Sequence, residues 1–214
     1  MDKKEIQRKR MLTYFVEATN DIIEKEGLEN VTIRKIADIA GYNSATLYNY
    51  FENLDHLVFF ASMKYFKDYS LGISDYIRDT KDDIETLLKI WEFFCKHSFS
   101  KPKIFYNIFF SKHKDKLKET INEYYDIFPE EFGEHTDQIN DMLKGKNIYE
   151  RNKVILQPLV KHGKIKGEDI DLINNIIVYT YQSLLYNIVV LEEDYNIDDL
   201  TEKVLDIIRY IIIK

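Results

Sequence analysis

Between Asn43 and Tyr50 the chain reads NSATLYNY, and every residue there except Ala45 and Leu47 carries a hydroxyl or a carboxamide. Such groups donate and accept hydrogen bonds without titrating near neutral pH. They can read a surface of fixed donors and acceptors, but they do not make an acid–base pair. Residues that could do so are scattered. His56, His97, His113, His135 and His162 are the 5 histidines, and none pairs with another at helical ligand spacing. Cys95 and His97 stand two apart, so on a helix they do not share a face, and Cys95 reads as a packed core thiol. There is no glycine-rich phosphate loop and no two-histidine zinc motif. Asp and Glu spread along solvated helix faces. The chemistry expected is recognition: no enzyme, no cofactor and no metal, although carboxylates and a histidine meeting across helices would escape a reading of this kind.

The recognition residues need a frame, and the neighbouring sequence supplies one. Thr32 is a fitting N-cap for a helix over Ile33 to Ala40, with Ile36, Ala37 and Ala40 as a narrow apolar stripe. Gly41 follows where a left-handed C′ residue would sit. Asn43 or Ser44 then caps a second helix to about Tyr50, in which Ala45, Leu47 and Phe51 can face inward. Thr46, Tyr48, Asn49 and Tyr50 are left outside. This is the helix-turn-helix plan, whose second helix lies in the DNA major groove with its N-terminal residues at base edges. Ahead of it, a helix from about Lys4 to Glu26 has an apolar face of Leu12, Phe15, Ala18, Thr19, Ile22 and Ile23, and Gly27 stops it. That helix should pack behind the motif and present its basic N-terminal end to the DNA backbone.

The stretch TIRKIADIAGYNSATLYNYF, Thr32 to Phe51, resembles the DNA-binding domain of TetR-type transcriptional regulators. The matching residues are Thr32, Ile36, Ala37, Ala40, Gly41, Thr46, Leu47, Tyr48, Phe51 and Leu57. Upstream, Ala18, Ile22, Gly27 and Val31 also fit. The likeness covers about the first quarter of the chain. Beyond it only the helical architecture corresponds. The resemblance implies an all-α protein with an N-terminal three-helix helix-turn-helix DNA-binding domain over residues 1–53. A linking helix over about 54–77 and a larger helical effector-binding and dimerisation domain over 78–214 would follow. It implies DNA contacts from Thr32, Arg34, Asn43, Ser44, Ala45, Thr46, Tyr48, Asn49 and Tyr50. Of these, Arg34, Asn43 and Ala45 are placed for base readout, the hydroxyls for the backbone. Three positions depart from the family pattern. Leu54 stands where a phosphate-meeting Lys is common, Tyr42 where a small or β-branched residue is usual, and Ala45 where Gly is usual. The Ala45 methyl either meets a thymine methyl or simply favours the helix.

Bulk properties set the outer bounds. The chain has 214 residues, 45% of them hydrophobic, with 7 Gly and 3 Pro, which favours long uninterrupted helices. A single cysteine excludes an internal disulfide framework and fits a reducing cytoplasm. The apolar run from Ile176 to Leu191 is broken by Thr180, Gln182, Ser183 and Asn187, and is shorter than the ~20 apolar residues that span a membrane. Net charge is −7, and the first 60 residues carry no basic excess, so few phosphate contacts and a modest salt slope are expected.

The linking helix reads equally as a lever or as a passive spacer. In the middle of the chain, Trp91, Phe94, Phe105, Phe109, Tyr125 and Tyr181 are candidate walls of an aromatic cavity with few charges, suited to a small apolar or aromatic effector. Helices over about 170–191 and 200–213 are apolar on nearly every face. Ile177, Tyr181, Leu184, Leu185, Ile188, Leu205, Ile208 and Ile212 are therefore expected to pack a homodimer through a four-helix bundle, the alternative being a purely internal core. The function read from all this is a homodimeric, ligand-responsive regulator, most simply a repressor, on a palindromic double-stranded DNA operator. An interaction module without DNA binding and a small-molecule enzyme using the cavity are the alternatives.

Overall fold

Helix α1, Lys3–Glu26, forms over the expected span, and its apolar face is buried from Met11 to Ile23. A computed structural model describes residues 3–213, and among them there are helices and turns but no strand. Two short helices follow, α2 over Ile33–Ala40 and α3 over Ser44–Leu47. Then come α4 (Leu54–Ala61), α5 (Lys67–Tyr76), α6 (Asp83–Ser100), α7 (Pro102–Phe110) and α8 (Leu117–Ile127). The last four are α9 (Asp137–Leu143), α10 (Ile148–Lys161), α11 (Ile170–Val190) and α12 (Ile197–Ile212).

Side-chain caps set most of these starts. Thr32, Asn43, Asn53, Asp82, Thr136, Asn147 and Asn196 each accept a bond from a backbone N–H of the first turn they precede. Each such cap is worth about 1 kcal/mol. At α7 there is no side-chain cap. Ser100 is the last residue of α6, with its hydroxyl on the His97 carbonyl, and Lys101 takes the cap position before Pro102.

The continuous rod expected over residues 54–77 is interrupted. Between α4 and α5 the chain tightens into a 3-10 turn over Ser62–Phe66. The Ser62 hydroxyl donates back to the Val58 carbonyl at 2.7 Å, a contact that bends helices. Met63 and Phe66 are buried within that turn, so it is clamped by the core on one side.

Helix α6 lies at the centre of the larger body, packing against α5, α7, α10 and α12, while α10 also packs on α9 and α11. A buried polar chain ties three of these helices. Trp91 Nε1 donates to Asn152 Oδ1 at 2.8 Å, Asn152 Nδ2 to Asn174 Oδ1 at 2.9 Å, and Asn174 Nδ2 to the Tyr149 carbonyl at 3.0 Å. Left half-made, such a chain would cost more than an apolar core, so it fixes how α6, α10 and α11 sit together.

Burial divides the residues expected at an interface on α11 and α12. Ile177, Tyr181, Leu185, Leu205, Ile208 and Ile212 are covered by their own chain, and Leu184 and Ile188 are half-buried. These helices wrap into the single-chain core, with α12 against α6 and α11 against α7 and α10. What stays outside on α11 is a different stripe, Leu172, Tyr179, Tyr186 and Val190, with Tyr210 and Ile213 exposed at the end of the chain. No described helix is long and apolar enough to cross a membrane.

Candidate nucleic-acid interface and inner cavity

Helix α2 ends in a left-handed residue. Gly41 has φ 76°, and the Tyr42 N–H reaches back to the Ala37 carbonyl at 2.9 Å. This double closure of the last turn sends the chain sharply into α3. There the Asn43 side chain accepts from the Thr46 N–H at 2.9 Å and from the Thr46 hydroxyl at 3.0 Å. Behind the turn, Ile36, Leu47 and Phe51 close a small core with Phe15 of α1 and Leu57 and Phe60 of α4, all essentially buried.

The second helix is shorter than its sequence suggests. Regular α-helix stops at Leu47, and Tyr48 to Tyr50 continue as turns, with the Asn49 and Tyr50 N–H groups bonded three residues back. Ala45 does not face inward; it is exposed, as are Thr32, Arg34, Asn43 and Asn49. Tyr48 is 54% exposed. Ser44, Thr46 and Tyr50 are half-buried, the Thr46 hydroxyl being taken up by the cap and the Tyr50 ring lying 6.0 Å from that of Phe15. The exposed members of the expected set are therefore Thr32, Arg34, Asn43, Ala45, Tyr48 and Asn49.

Charge is distributed in a way the sequence did not disclose. Arg8 pairs with Glu123 of α8 at 2.5 Å, and Lys9 Nζ donates to the Asp126 carbonyl at 2.8 Å. The basic end of α1 thus turns partly toward the larger body. Three acidic residues of the N-terminal segment do the same. Glu29 meets Lys103, Glu52 meets Lys116 and Asp55 meets Lys112, at 3.5, 2.6 and 2.5 Å. Arg34 makes no ion pair among the described residues, whereas Lys35 is held by Glu26. The lack of basic excess in this segment is in part the mark of acidic groups that face another part of the same chain.

Where α4 begins, the His56 ring stacks on that of His113 with centroids 5.8 Å apart. Burial holds both below the usual 6.5.

Inside the larger body, a cavity of about 20 Å³, room for one water, lies between four helices. Tyr69 of α5 and Ile90, Trp91 and Phe94 of α6 form one side. Met142 of α9 and Ile148, Arg151, Asn152 and Ile155 of α10 form the other. Of the six expected wall residues only Trp91 and Phe94 line it. Phe105, Phe109 and Tyr181 are buried in the aromatic cluster behind, with Tyr181 5.2 Å from Phe94. Tyr125 is half-buried against Phe132. The space expected for an effector is filled by these rings, and the cavity carries a charge, Arg151. Sequence reasoning passed over Arg151, Tyr69 and Met142. A signal for Arg151 existed: it sits on the stripe Ile148, Asn152, Ile155, Leu159, where helical spacing points inward. Burial lowers the Arg151 pKa, and it lifts the Tyr69 and Tyr125 phenols to about 12.

Fold and motif together define a helix-turn-helix protein with a larger helical body. Residues 15–59 match the family model of the bacterial regulatory proteins of the tetR family. No curated protein matches significantly. Among solved structures, FadR from Thermus thermophilus, a TetR-family transcriptional repressor in complex with lauroyl-CoA, superposes with a TM-score of 0.62 at 11% identity over 92% of each chain. The fatty acid degradation regulator FadR from Bacillus halodurans superposes with a TM-score of 0.56 at 18% identity, over 92% of this chain and 93% of that one. For the Bacillus subtilis regulator FadR in complex with stearoyl-CoA the TM-score is 0.56 at 17% identity, over 92% of this chain and 96% of that one. At these identities the likeness is one of fold, and it extends through the larger body as well as the motif.

Proposed function

We propose that the chain is a homodimeric, ligand-responsive DNA-binding regulator of transcription, acting as a repressor on a palindromic operator. The observation that supports this is the capped turn from Thr32 to Tyr50, in which Arg34, Asn43, Ala45, Tyr48 and Asn49 are exposed, within a segment matched by the tetR family model. Arg34, Asn43 and Ala45 read bases. Thr32, Tyr48 and Asn49, which are exposed, position the backbone, with Ser44, Thr46 and Tyr50 half-buried behind them. Residues 1–53 act as the DNA-binding unit and 78–214 as the effector and dimerisation unit, with α4, the 3-10 turn and α5 between them.

The dimer forms on the exposed stripe of α11, Leu172, Tyr179, Tyr186 and Val190, which repeats at helical spacing along one face. Two FadR structures of the same fold hold an acyl-CoA. An effector here enters the cavity lined by Tyr69, and because α5 continues from α4 through the clamped turn, moving Tyr69 moves the base of the motif. The ligand shifts DNA affinity only by its difference in affinity for the two arrangements. The test is binding to the intergenic region beside the chain's own gene at two salt concentrations, with Tyr48→Ala as control. Tight, salt-sensitive binding lost in the variant supports the reading. No affinity even for bulk DNA at low salt overturns it.

A further inference from the structure

Arg151 is 4% exposed, yet no carboxylate lies within ion-pair distance of it among the described residues. Its guanidinium carries five N–H donors. One is bonded to the Leu143 carbonyl at 2.9 Å, and another points at the Met142 sulfur at 3.9 Å, a weak acceptor. The rings of Phe66 and Phe109 cover it at 4.9 and 5.5 Å. Leu143 is the last residue of α9, so its carbonyl offers the partial negative charge of a helix end, which offsets a full positive charge only in part. A neutral donor would cap that carbonyl as well, without the cost of a buried, unneutralised cation. The structural role leaves the charge unexplained.

The groups beside it complete a pattern. Asn152 is committed on both sides to Trp91 and Asn174. The Tyr69 hydroxyl, by contrast, donates only to a weak acceptor, the Met142 sulfur at 3.8 Å, with the Arg151 guanidinium beside it. Around the cavity the weakly satisfied polar groups are therefore a cation and a phenol that can donate, while the apolar wall is Ile90, Trp91, Phe94, Met142, Ile148 and Ile155. A carboxylate is an acceptor-only group that takes several such bonds. We infer that the effector is an organic acid with an apolar body, entering with its carboxylate toward Arg151 and Tyr69. This deepens the regulator reading and depends on it only for what the binding does to DNA. Because the cavity holds one water, binding parts the helices that line it.

Trp91 is the 1 tryptophan of the chain and lines the cavity, so its emission reports on occupancy directly. The full chain is titrated with butanoate, octanoate and benzoate, with the alcohols of the same carbon skeletons, and with octanoyl-CoA, in the absence of DNA. At least one acid should shift Trp91 emission saturably and bind about tenfold or more tighter than its alcohol, as a hydrogen-bonded charge pair requires. Arg151→Met should abolish that preference, and Arg151→Lys should keep part of it. Alcohols binding as well as acids, no saturable response to any acid, or a preference that survives Arg151→Met overturns the inference. So does octanoyl-CoA, whose carboxyl is esterified, binding as tightly as octanoate. If Arg151→Met does not fold, the acid-to-alcohol ratio of the unaltered chain decides alone. Failure on DNA with a clear acid preference removes the regulator reading and leaves this one, and the converse result does the reverse.

Discussion

Asn43 carries two loads that two substitutions separate. Its Oδ1 accepts from the Thr46 backbone N–H at 2.9 Å and from the Thr46 hydroxyl at 3.0 Å, and it sits exposed at the start of α3. Asn43→Ala removes the cap of a helix only four residues long. The cap is worth about 1 kcal/mol, and freeing the Thr46 hydroxyl, which water can then bond, adds little. For a chain of this size that is a fall in Tm of about 2–4 °C. Asn43→Asp keeps an acceptor in place and should leave Tm nearly unchanged. It does, however, put a negative charge on the surface proposed to meet DNA. Repulsion from a nearby phosphate, partly screened, is worth about 1 kcal/mol or more per subunit, so operator affinity should fall about tenfold or more. The assay pairs thermal unfolding with DNA titration at one salt concentration. An unchanged Tm in Asn43→Ala would refute the cap argument. Full DNA affinity in Asn43→Asp would refute the placement of this surface against phosphates.

Three further outcomes are expected. His56 and His113 are held below their ordinary pKa by burial, so the unfolded chain binds more protons as pH falls through 6.5; the stability they contribute is present above that value and lost below it, and Tm should drop between about pH 7.5 and about pH 5.5, less so in His113→Gln. Gly41→Ala meets no atom within 4 Å of the added Cβ but must hold φ 76°, so it should destabilise by about 1 kcal/mol through backbone strain alone, read by chemical denaturation. Tyr186→Asp on the exposed stripe of α11 should convert a dimer to a monomer in sedimentation without lowering the helical content, whereas a dimer that persists would move the interface elsewhere.

Local features with a direct chemical cause were legible in the chain. Thr32 and Asn43 cap the helices they precede, Gly41 takes the left-handed position, and α1 and α2 run where periodicity put them. What escaped depended on distant partners. The pairing of Arg8 with Glu123 and of Glu52 with Lys116 cannot be seen until α8 is known to lie beside α1 and α4. Helices α11 and α12 looked apolar all round, and that pattern does not say which side meets the same chain. The 3-10 turn after Ala61 needs only a serine bonding back one turn, a choice Ser62 shares with many serines that do not make it. Arg151 was legible by spacing and missed because a charge on an apolar stripe is easily read as noise.

The ion pairs that join the N-terminal segment to the larger body, Arg8–Glu123, Glu29–Lys103, Glu52–Lys116 and Asp55–Lys112, are all well exposed. Exposed pairs are individually weak, and salt screens them. Ionic strength therefore acts on this molecule at the seam that aims the motif as well as at the surface proposed to meet DNA. A count of phosphates taken from the steepness of binding against salt would include the loosening of that seam, and would exceed the number of backbone contacts the motif makes.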